Sequence, residues 1–426
     1  VELLTYLLSY FAYKIRKDEI GTRDMPMVTK PNPYYPVSQL QCETDLNLET
    51  LPLAEEVSFP AWQAEIPESY WKLDSAALTE RIEAARVKLG SEVTVLGHHY
   101  QREDIIQFAD DIGDSFALAE YAAKRQDSKY IVFCGVHFMA EAADVLSADH
   151  QQVILPNIEA GCSMADMARE EDVINAWHEL ETRLGQTSDI IPVTYMNSTA
   201  SLKAFCGKHN GIVCTSSNAE KVLTWAFEQG KKVLFFPDQH LGRNTGHNLG
   251  IQLEDMVLWN WRLPTGSLGG IDQTALKDSK IILWQGHCSV HQRFTLKQIE
   301  DAREEFPAVK IVVHPECRYD VVQTADANGS TAFIAEYVKN ADPGSIIGVG
   351  TEINLVSRLA KENPDKTVFC LDPVVCPCST MYRVHPAYLA WVLEGLLEGD
   401  VRNVITVDQE TQSFARVALN RMLAMK

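Results

Sequence analysis

The stretch Ile281–His291 reads IILWQGHCSVH. Its apolar start has the character of a buried strand's end, Gly286 turns the chain, Cys288 follows with histidines on both sides, and helix-like sequence comes next. A thiol is therefore expected at the carboxyl end of a strand. That is the edge of an open α/β sheet where helix N-termini and loop amides converge on ligands. Two other stretches set a cysteine in the same way: VILPNIEAGCSMADMA with Cys162, and VFCLDPVVCPCSTMYRV with Cys376 and Cys378. Three thiols in three similar turns predict a metal centre built where three units meet.

Outward from these turns, the chain from Val93 repeats one pattern. Short β-branched or apolar runs end in small or polar residues and pass directly into helical sequence: VTVLGHHYQREDII, KYIVFCGVHFMAEAA, QVILPNIEAGCSMADM, IIPVTYMNSTASLKAF, GIVCTSSNAEKVLTWA, KVLFFPDQHLGRN, KIILWQGHCSVHQRF, VKIVVHPECRYDVV, SIIGVGTEINLVSRL and TVFCLDPVVCPCSTMY. Strands alternating with helices predict parallel sheets built of βαβ units. Ten such units exceed one comfortable sheet, so three small α/β domains of three or four strands are expected, each supplying one thiol-bearing turn. Residues Gly242 to Gly270 break the rhythm with Gly, Asn and Trp and read as an inserted excursion.

Before this region, the sequence VELLTYLLSYFAYKIRKDEI is apolar at its start but carries Glu2 and no small-residue cleavage pattern, and it is too interrupted to span a bilayer. It reads as an amphipathic helix. Prolines at 26, 31, 33, 36, 52, 60 and 67 then mark a meandering arm in which Cys42 is an incidental thiol. A helix is expected from Ser75 to Leu89, with Asp74 as its N-cap.

Composition bounds the function. The chain has 426 residues, 46% apolar and 23% charged, and 38 Lys and Arg against 58 Asp and Glu give a formal charge of −20. Such a surface repels phosphate backbones and anionic lipid, so neither nucleic acid nor membrane is an expected partner. Anionic substrates would need a local field from helix N-termini, a metal or a few basic groups. Ten cysteines are too sparse for a disulfide scaffold and favour a reducing, cytoplasmic setting.

The residues that end the strands carry proton-transfer and hydroxyl groups: His98, His99 and Tyr100, then Asp114 and Ser115; Tyr195, Asn197, Ser198 and Thr199; Thr215, Ser216 and Ser217; His314, Glu316 and Cys317. Any one of them alone reads as a helix cap or a satisfied core histidine. Together they outnumber the Gly, Asp and Lys that purely structural turns use.

Two metals suit the thiols. Zinc sites favour close pairs such as C-x-x-C, and the chain has one close pair, Cys376-Pro377-Cys378. An iron–sulfur cube takes scattered thiolates, and with three of them one iron stays open as a Lewis acid. Cys134, Cys206, Cys214 and Cys370 read as small buried apolar groups.

The set GHHYQ from Gly97, DIGDS ending at Ser115, EAGCS around Cys162, YMN from Tyr195, CTSSNA around Ser216, PDQHLGRN from Pro237, WQGHCSVH around Cys288, HPE from His314, GST ending at Thr331 and CPCSTM around Cys378 resembles quinolinate synthase. The resemblance runs from about Ala84 to the C-terminus, with the motifs in the same order. It implies three α/β domains (parallel-sheet, three-layer) in pseudo-threefold arrangement around a central iron–sulfur site, an oxygen-sensitive 4Fe-4S cluster with three Cys ligands and one open iron. By motif the ligands fall on Cys162, Cys288 and Cys378, with Cys376 a candidate redox partner of Cys378. The implied reaction condenses iminoaspartate with dihydroxyacetone phosphate, losing phosphate and two waters, to give quinolinate for NAD synthesis.

The substrate positions carried over are His98, Ser115, Tyr195, Asn197, Ser216, His314, Glu316 and Thr331. Hydroxyl and amide groups at helix starts suit carboxylates and a triose phosphate. Glu316 is the expected general base, with His98, Tyr195 and His314 as proton donors. The expected domains are an extension over 1–74, a first α/β domain over 75–163 completed by C-terminal helices in 379–426, a second over 164–290 with the insertion near 242–270, and a third over 291–378. A functional link to an aspartate-oxidising enzyme and a homodimer are kept open. Two rival readings share the thiols. An iron–sulfur sensor would not need the ring of His, Tyr, Glu and Ser, and another 4Fe-4S dehydratase acting on a hydroxy acid would not need room for two substrates.

Overall fold

In the computed structural model, residues 66–185, 189–374 and 377–425 are described. The amphipathic N-terminal helix, the Pro-rich arm, Cys42 and Cys376 named above lie outside them.

The strands are β1 (Val93–His98), β2 (Asp111–Gly113), β3 (Tyr130–Cys134), β4 (Gln152–Ile154), β5 (Ile190–Tyr195), β6 (Ile212–Cys214), β7 (Lys232–Phe236), β8 (Met256–Trp259), β9 (Ile281–Trp284), β10 (Lys310–Val313), β11 (Ala327–Asn328), β12 (Ile346–Gly350), β13 (Thr367–Cys370) and β14 (Val404–Ile405). They form three sheets, ordered β14-β4-β3-β1-β2, β6-β5-β7-β9-β8 and β11-β10-β12-β13. All pairings are parallel except that of β14 with β4. The molecule is thus α/β with three small, mostly parallel sheets.

One topology recurs. In each sheet the first strand (β1, β5, β10) lies between the second (β2, β6, β11) and the third (β3, β7, β12), and a later strand (β4, β9, β13) pairs with the far side of the third. The order reverses beside the first strand, so each sheet has a switch point where strand ends are open to a ligand. The strands read as unbroken apolar runs because helices cover both faces: all six residues of β1, all five of β3 and all six of β5 are buried.

The ten strands expected from the sequence are all present. The four further ones, β2, β8, β11 and β14, are two to four residues long and sit at sheet edges. Too few residues alternate or cluster there to register as strands. The segment 242–270 contains β8, which pairs with β9 from Met256↔Ile281 to Trp259↔Trp284 and so widens the second sheet.

The helix Ser75–Leu89 forms where expected, with the Asp74 side chain accepting from Ala77 N at 2.8 Å. It buries Leu78, Ile82, Ala85 and Leu89, one stripe at helical spacing, and packs on the apolar helix Pro386–Glu398. Glu394 on that second helix accepts from Arg81 Nε at 2.7 Å and from the Tyr70 hydroxyl. The C-terminal helix Gln409–Leu423 packs across Ala200–Lys208.

Candidate active site

The recurring topology delivers side chains in matched sets. The first strands β1 and β5 end in His98 and Tyr195, and β10 leads into His314; two residues on come Tyr100, Asn197 and Glu316. After the second strands come Ser115, Ser216 and Thr331, each at or just before a helix start. After the strands that flank the third ones (β4, β9, β13) come Cys162, Cys288 and Cys378, each eight residues before a helix that begins at Glu170, Leu296 or Pro386. Each cysteine carbonyl accepts from the amide four residues on, Asp166 N at 3.1 Å, Gln292 N at 3.0 Å and Tyr382 N at 2.9 Å. Three copies of one turn therefore present three thiols alike.

All eleven residues singled out as site candidates line one cavity with about 640 Å³ of space unfilled by atoms. Its wall also includes Tyr100, Asp114 and His291, and no Lys or Arg among the described residues lines it. Anions entering it meet hydroxyls, imidazoles and helix N-termini instead of fixed cationic side chains. The Ser115 helix is already capped by Asp114, whose Oδ1 accepts from Phe116 N at 3.1 Å and Ala117 N at 2.9 Å. Asp114 Oδ2 also accepts from Ser217 Oγ at 2.5 Å, which fastens the Ser115 and Ser216 turns to each other.

Glu316 is the hub. It is 2% exposed, and its Oε1 accepts from the Tyr195 hydroxyl at 2.5 Å while Oε2 lies 2.8 Å from His291 Nδ1. His291 Nε2 is 3.1 Å from Thr351 Oγ1, and Thr351 Oγ1 is 2.8 Å from the Tyr100 hydroxyl. A continuous hydrogen-bonded path thus runs Tyr195, Glu316, His291, Thr351, Tyr100. Burial by itself would raise the Glu316 pKa; His291 and His314 beside it and the hydrogen bonds from His291 and Tyr195 outweigh burial and hold it at about 2. Burial, reinforced by the Glu316 charge, pushes both Tyr100 and Tyr195 well above the usual phenol range.

The two histidines at the strand ends share one geometry. His98 Nδ1 accepts from Tyr100 N at 3.1 Å, and His314 Nδ1 accepts from Glu316 N at 3.3 Å. A ring nitrogen that accepts from an amide carries no proton, so in the neutral ring Nε2 is the N–H donor. Burial keeps both rings neutral, lowering the His314 pKa to about 3 and that of His98 well below its ordinary value. His314 Nε2 lies 3.2 Å from Ser216 Oγ. The amide oxygen of Asn197 is buried without a partner among the described residues, an acceptor that a ligand donor would satisfy.

The donor set fits a metal–sulfur group. Cys162, Cys288 and Cys378 are free thiols, partly buried on the cavity wall. Burial raises the pKa of each, to about 12 for Cys162, so a cation is what would stabilise their thiolates there. Acidic residues that end the third strands back two of the turns. Glu352 Oε1 accepts from Cys378 N at 3.2 Å while Oε2 caps the next helix at Asn354 N, 2.7 Å away, and Asp238 pairs as a β-bridge with Gly286 ahead of Cys288. Ligand atoms of Cys288, His291 and Glu316 also lie within 4.8 Å of one another, a set that could hold a single ion. His291 and Glu316 are, however, bonded to each other and to Thr351 and Tyr195. Of the three thiols only Cys288 belongs to that set; Cys162 and Cys378 line the same cavity outside it.

Tyr100, His291 and Thr351 were not singled out from the sequence as catalytic groups. His291 had a signal in its place three residues after Cys288, and Tyr100 in its place after two histidines. Thr351 follows β12 as one polar residue among glycines and carried none.

Comparison with known proteins gives a consistent result. Residues 80–424 match the family described as quinolinate synthetase A protein. A quinolinate synthase of Corynebacterium glutamicum is 55% identical over 363 residues, covering 85% of this chain and 91% of that protein. One of Streptomyces coelicolor is 55% identical over 82% of this chain and 88% of its own length. One of Bacillus subtilis is 49% identical over 84% and 96%.

Proposed function

The chain belongs to the quinolinate synthase family, and from that membership we propose how its cavity carries out the family's reaction. The enzyme forms quinolinate from iminoaspartate and dihydroxyacetone phosphate, with loss of phosphate and two waters, in NAD biosynthesis. Two anionic substrates must be bound together, and protons must be moved on and off carbon and oxygen.

Ser115, Ser216, Thr331 and the amide nitrogen of Asn197 donate to carboxylate and phosphate oxygens at the helix starts, while the unpartnered Asn197 Oδ1 accepts from a substrate N–H or hydroxyl. His98 and His314 donate from Nε2, the nitrogen left free by their backbone-bonded Nδ1. Glu316 is the general base. Held at about 2 by His291 and His314 beside it and by the hydrogen bonds from His291 and Tyr195, it is a weak base at rest, but an anionic substrate that displaces Tyr195 or His291 removes a donor and adds a like charge. Both changes raise its basicity when substrate arrives. Tyr195, once released, returns a proton to oxygen, and Tyr100 does so from the other end of the Glu316–His291–Thr351 path.

Cys162, Cys288 and Cys378 are the ligands of a 4Fe-4S cluster, which when bound supplies an open iron as a Lewis acid for a substrate oxygen. A reducing cytoplasm keeps such thiols available, and an aspartate-oxidising enzyme is the class that would supply iminoaspartate. No helix among the described residues is long and apolar enough to cross a membrane.

The observation that carries this reading is Glu316 hydrogen-bonded to Tyr195 and His291 in a cavity that three thiols also line. The test is anaerobic purification with iron and sulfide, followed by assay with oxaloacetate, ammonia and dihydroxyacetone phosphate. Brown protein that forms quinolinate is expected; brown protein that forms none would overturn the assignment.

A further inference from the structure

The motif PDQHLGRN supplied part of the resemblance, yet none of its residues has a part in the chemistry above. In the structure it becomes the start of the helix Gln239–Asn248, capped by the fully buried Asp238, whose Oδ1 accepts from Leu241 N at 2.6 Å. Gln239 N donates to Gly286 O at 3.1 Å, tying the helix start to the turn that carries Cys288.

Two glycines press this helix onto the second sheet. A Cβ at Gly242 would lie 2.6 Å from Leu283 and 2.7 Å from Phe235, and one at Gly246 would lie 2.7 Å from Ile281. Asn244, midway between them, is turned by about 200° to the opposite face. There it is fully buried, and its Nδ2 donates to Pro315 O at 2.8 Å and to Cys317 O at 2.9 Å. These are the carbonyls on either side of Glu316. One turn further on, His247 Nε2 lies 3.3 Å from the Tyr319 hydroxyl.

We propose that Asn244 is a positioning residue for quinolinate formation: its amide clasps the main chain on both sides of Glu316 and so sets the carboxylate between Tyr195 and His291. The clasp joins an element packed on the second sheet to the strand-end turn of the third. It rests on the reading of Glu316 as necessary for turnover.

The test compares Asn244→Asp, which keeps the shape and removes the donor, and Asn244→Ala with wild type and Glu316→Gln. It uses anaerobic, cluster-loaded enzyme, with kcat normalised to iron content, KM, and the thermal midpoint. The expected result is a drop of about a hundredfold in kcat per cluster, the scale of a misplacement near 1 Å, with KM and cluster content little changed. A variant with wild-type kcat per cluster overturns the proposal. So does failure of both variants to fold, because the clasp would then belong to the fold and not to the site. Full activity of Glu316→Gln would instead remove the premise, a separately recognisable outcome.

Discussion

The Tyr195 hydroxyl donates to Glu316 Oε1 at 2.5 Å, although the two residues stand 121 positions apart, Tyr195 ending and Glu316 following the first strands of different sheets. The contact makes the carboxylate a shared element of two sheets. Its other oxygen meets His291 at 2.8 Å, so a third segment, the turn after Cys288, converges on the same group. A side chain so placed reports on whether the sheets are correctly assembled as well as on proton transfer.

Glu316→Gln keeps the shape but removes the anion. Loss of a positioned base lowers turnover by about 100- to 10,000-fold. Because Glu316 is not one of the three thiols proposed as ligands, iron content and the brown absorption should match wild type. Quinolinate formation within a few-fold of wild type would remove Glu316 from the reaction.

Replacing Cys162, Cys288 or Cys378 singly by Ser should abolish the brown colour and lower bound iron in each case. Cys134→Ala tests the contrast. Its thiol is fully buried on β3, raised to about 12 by burial, and is expected to serve packing alone. That variant should keep its iron and lose about 1 kcal/mol of stability. Retained iron in any of the three Ser variants would exclude that thiol as a ligand.

The sequence made the strand–helix alternation and the strand-end chemistry legible because buried parallel strands are long apolar runs that stop abruptly at polar residues, as VTVLGHH and IIPVTYMN do. It did not disclose β8, β11 or β14, whose pairing depends on neighbours distant in the chain. The thiol turns were visible as three similar phrases. The path from Glu316 through His291 and Thr351 to Tyr100 was not, because it joins four separate strand ends whose spatial order no local pattern encodes. Thr351 in particular looks like any small residue after a strand until it is found 2.8 Å from Tyr100 and 3.1 Å from His291.

Stability should fall below pH 6.5. His99 is held neutral by burial, and next by Arg358, with its pKa lowered from 6.5 to about 4, and its Nδ1 has no partner among the described residues. Below pH 6.5 the unfolded chain takes up a proton that the folded protein refuses until about pH 4, so stability is lost across that window. His314, lowered to about 3, acts with the same sign. Glu316 does so between about 4.5 and 2, where only the unfolded carboxylate is protonated. His99→Gln should flatten the dependence of the urea midpoint on pH between 6.5 and 4 by up to about 1.4 kcal/mol per pH unit. An unchanged slope would show that His99 is not buried neutral.

The C-terminal helix makes its closest backbone approach to the helix after the Tyr195 turn at one glycine. Gly207 lies in the helix Ala200–Lys208, which begins directly after the Tyr195–Thr199 turn, and a Cβ there would stand 2.0 Å from Phe414 O of the C-terminal helix. A backbone carbonyl cannot rotate away as a side-chain tip can, so the two helices must separate to admit even a methyl group. Arg421 Nη1, bonded to Gly211 O at 2.6 Å, resists that separation from the far end of the same helix. Gly207→Ala should therefore lose about 1–3 kcal/mol, the usual cost of overpacking a close contact, less the small helix-propensity gain of alanine. The strain falls behind the Tyr195 turn and not within it, so kcat per cluster should stay near wild type while the urea midpoint drops. A midpoint equal to or above wild type would mean that the helices slide apart at no cost, and that the close approach at Gly207 does not contribute to holding the C-terminal helix in place.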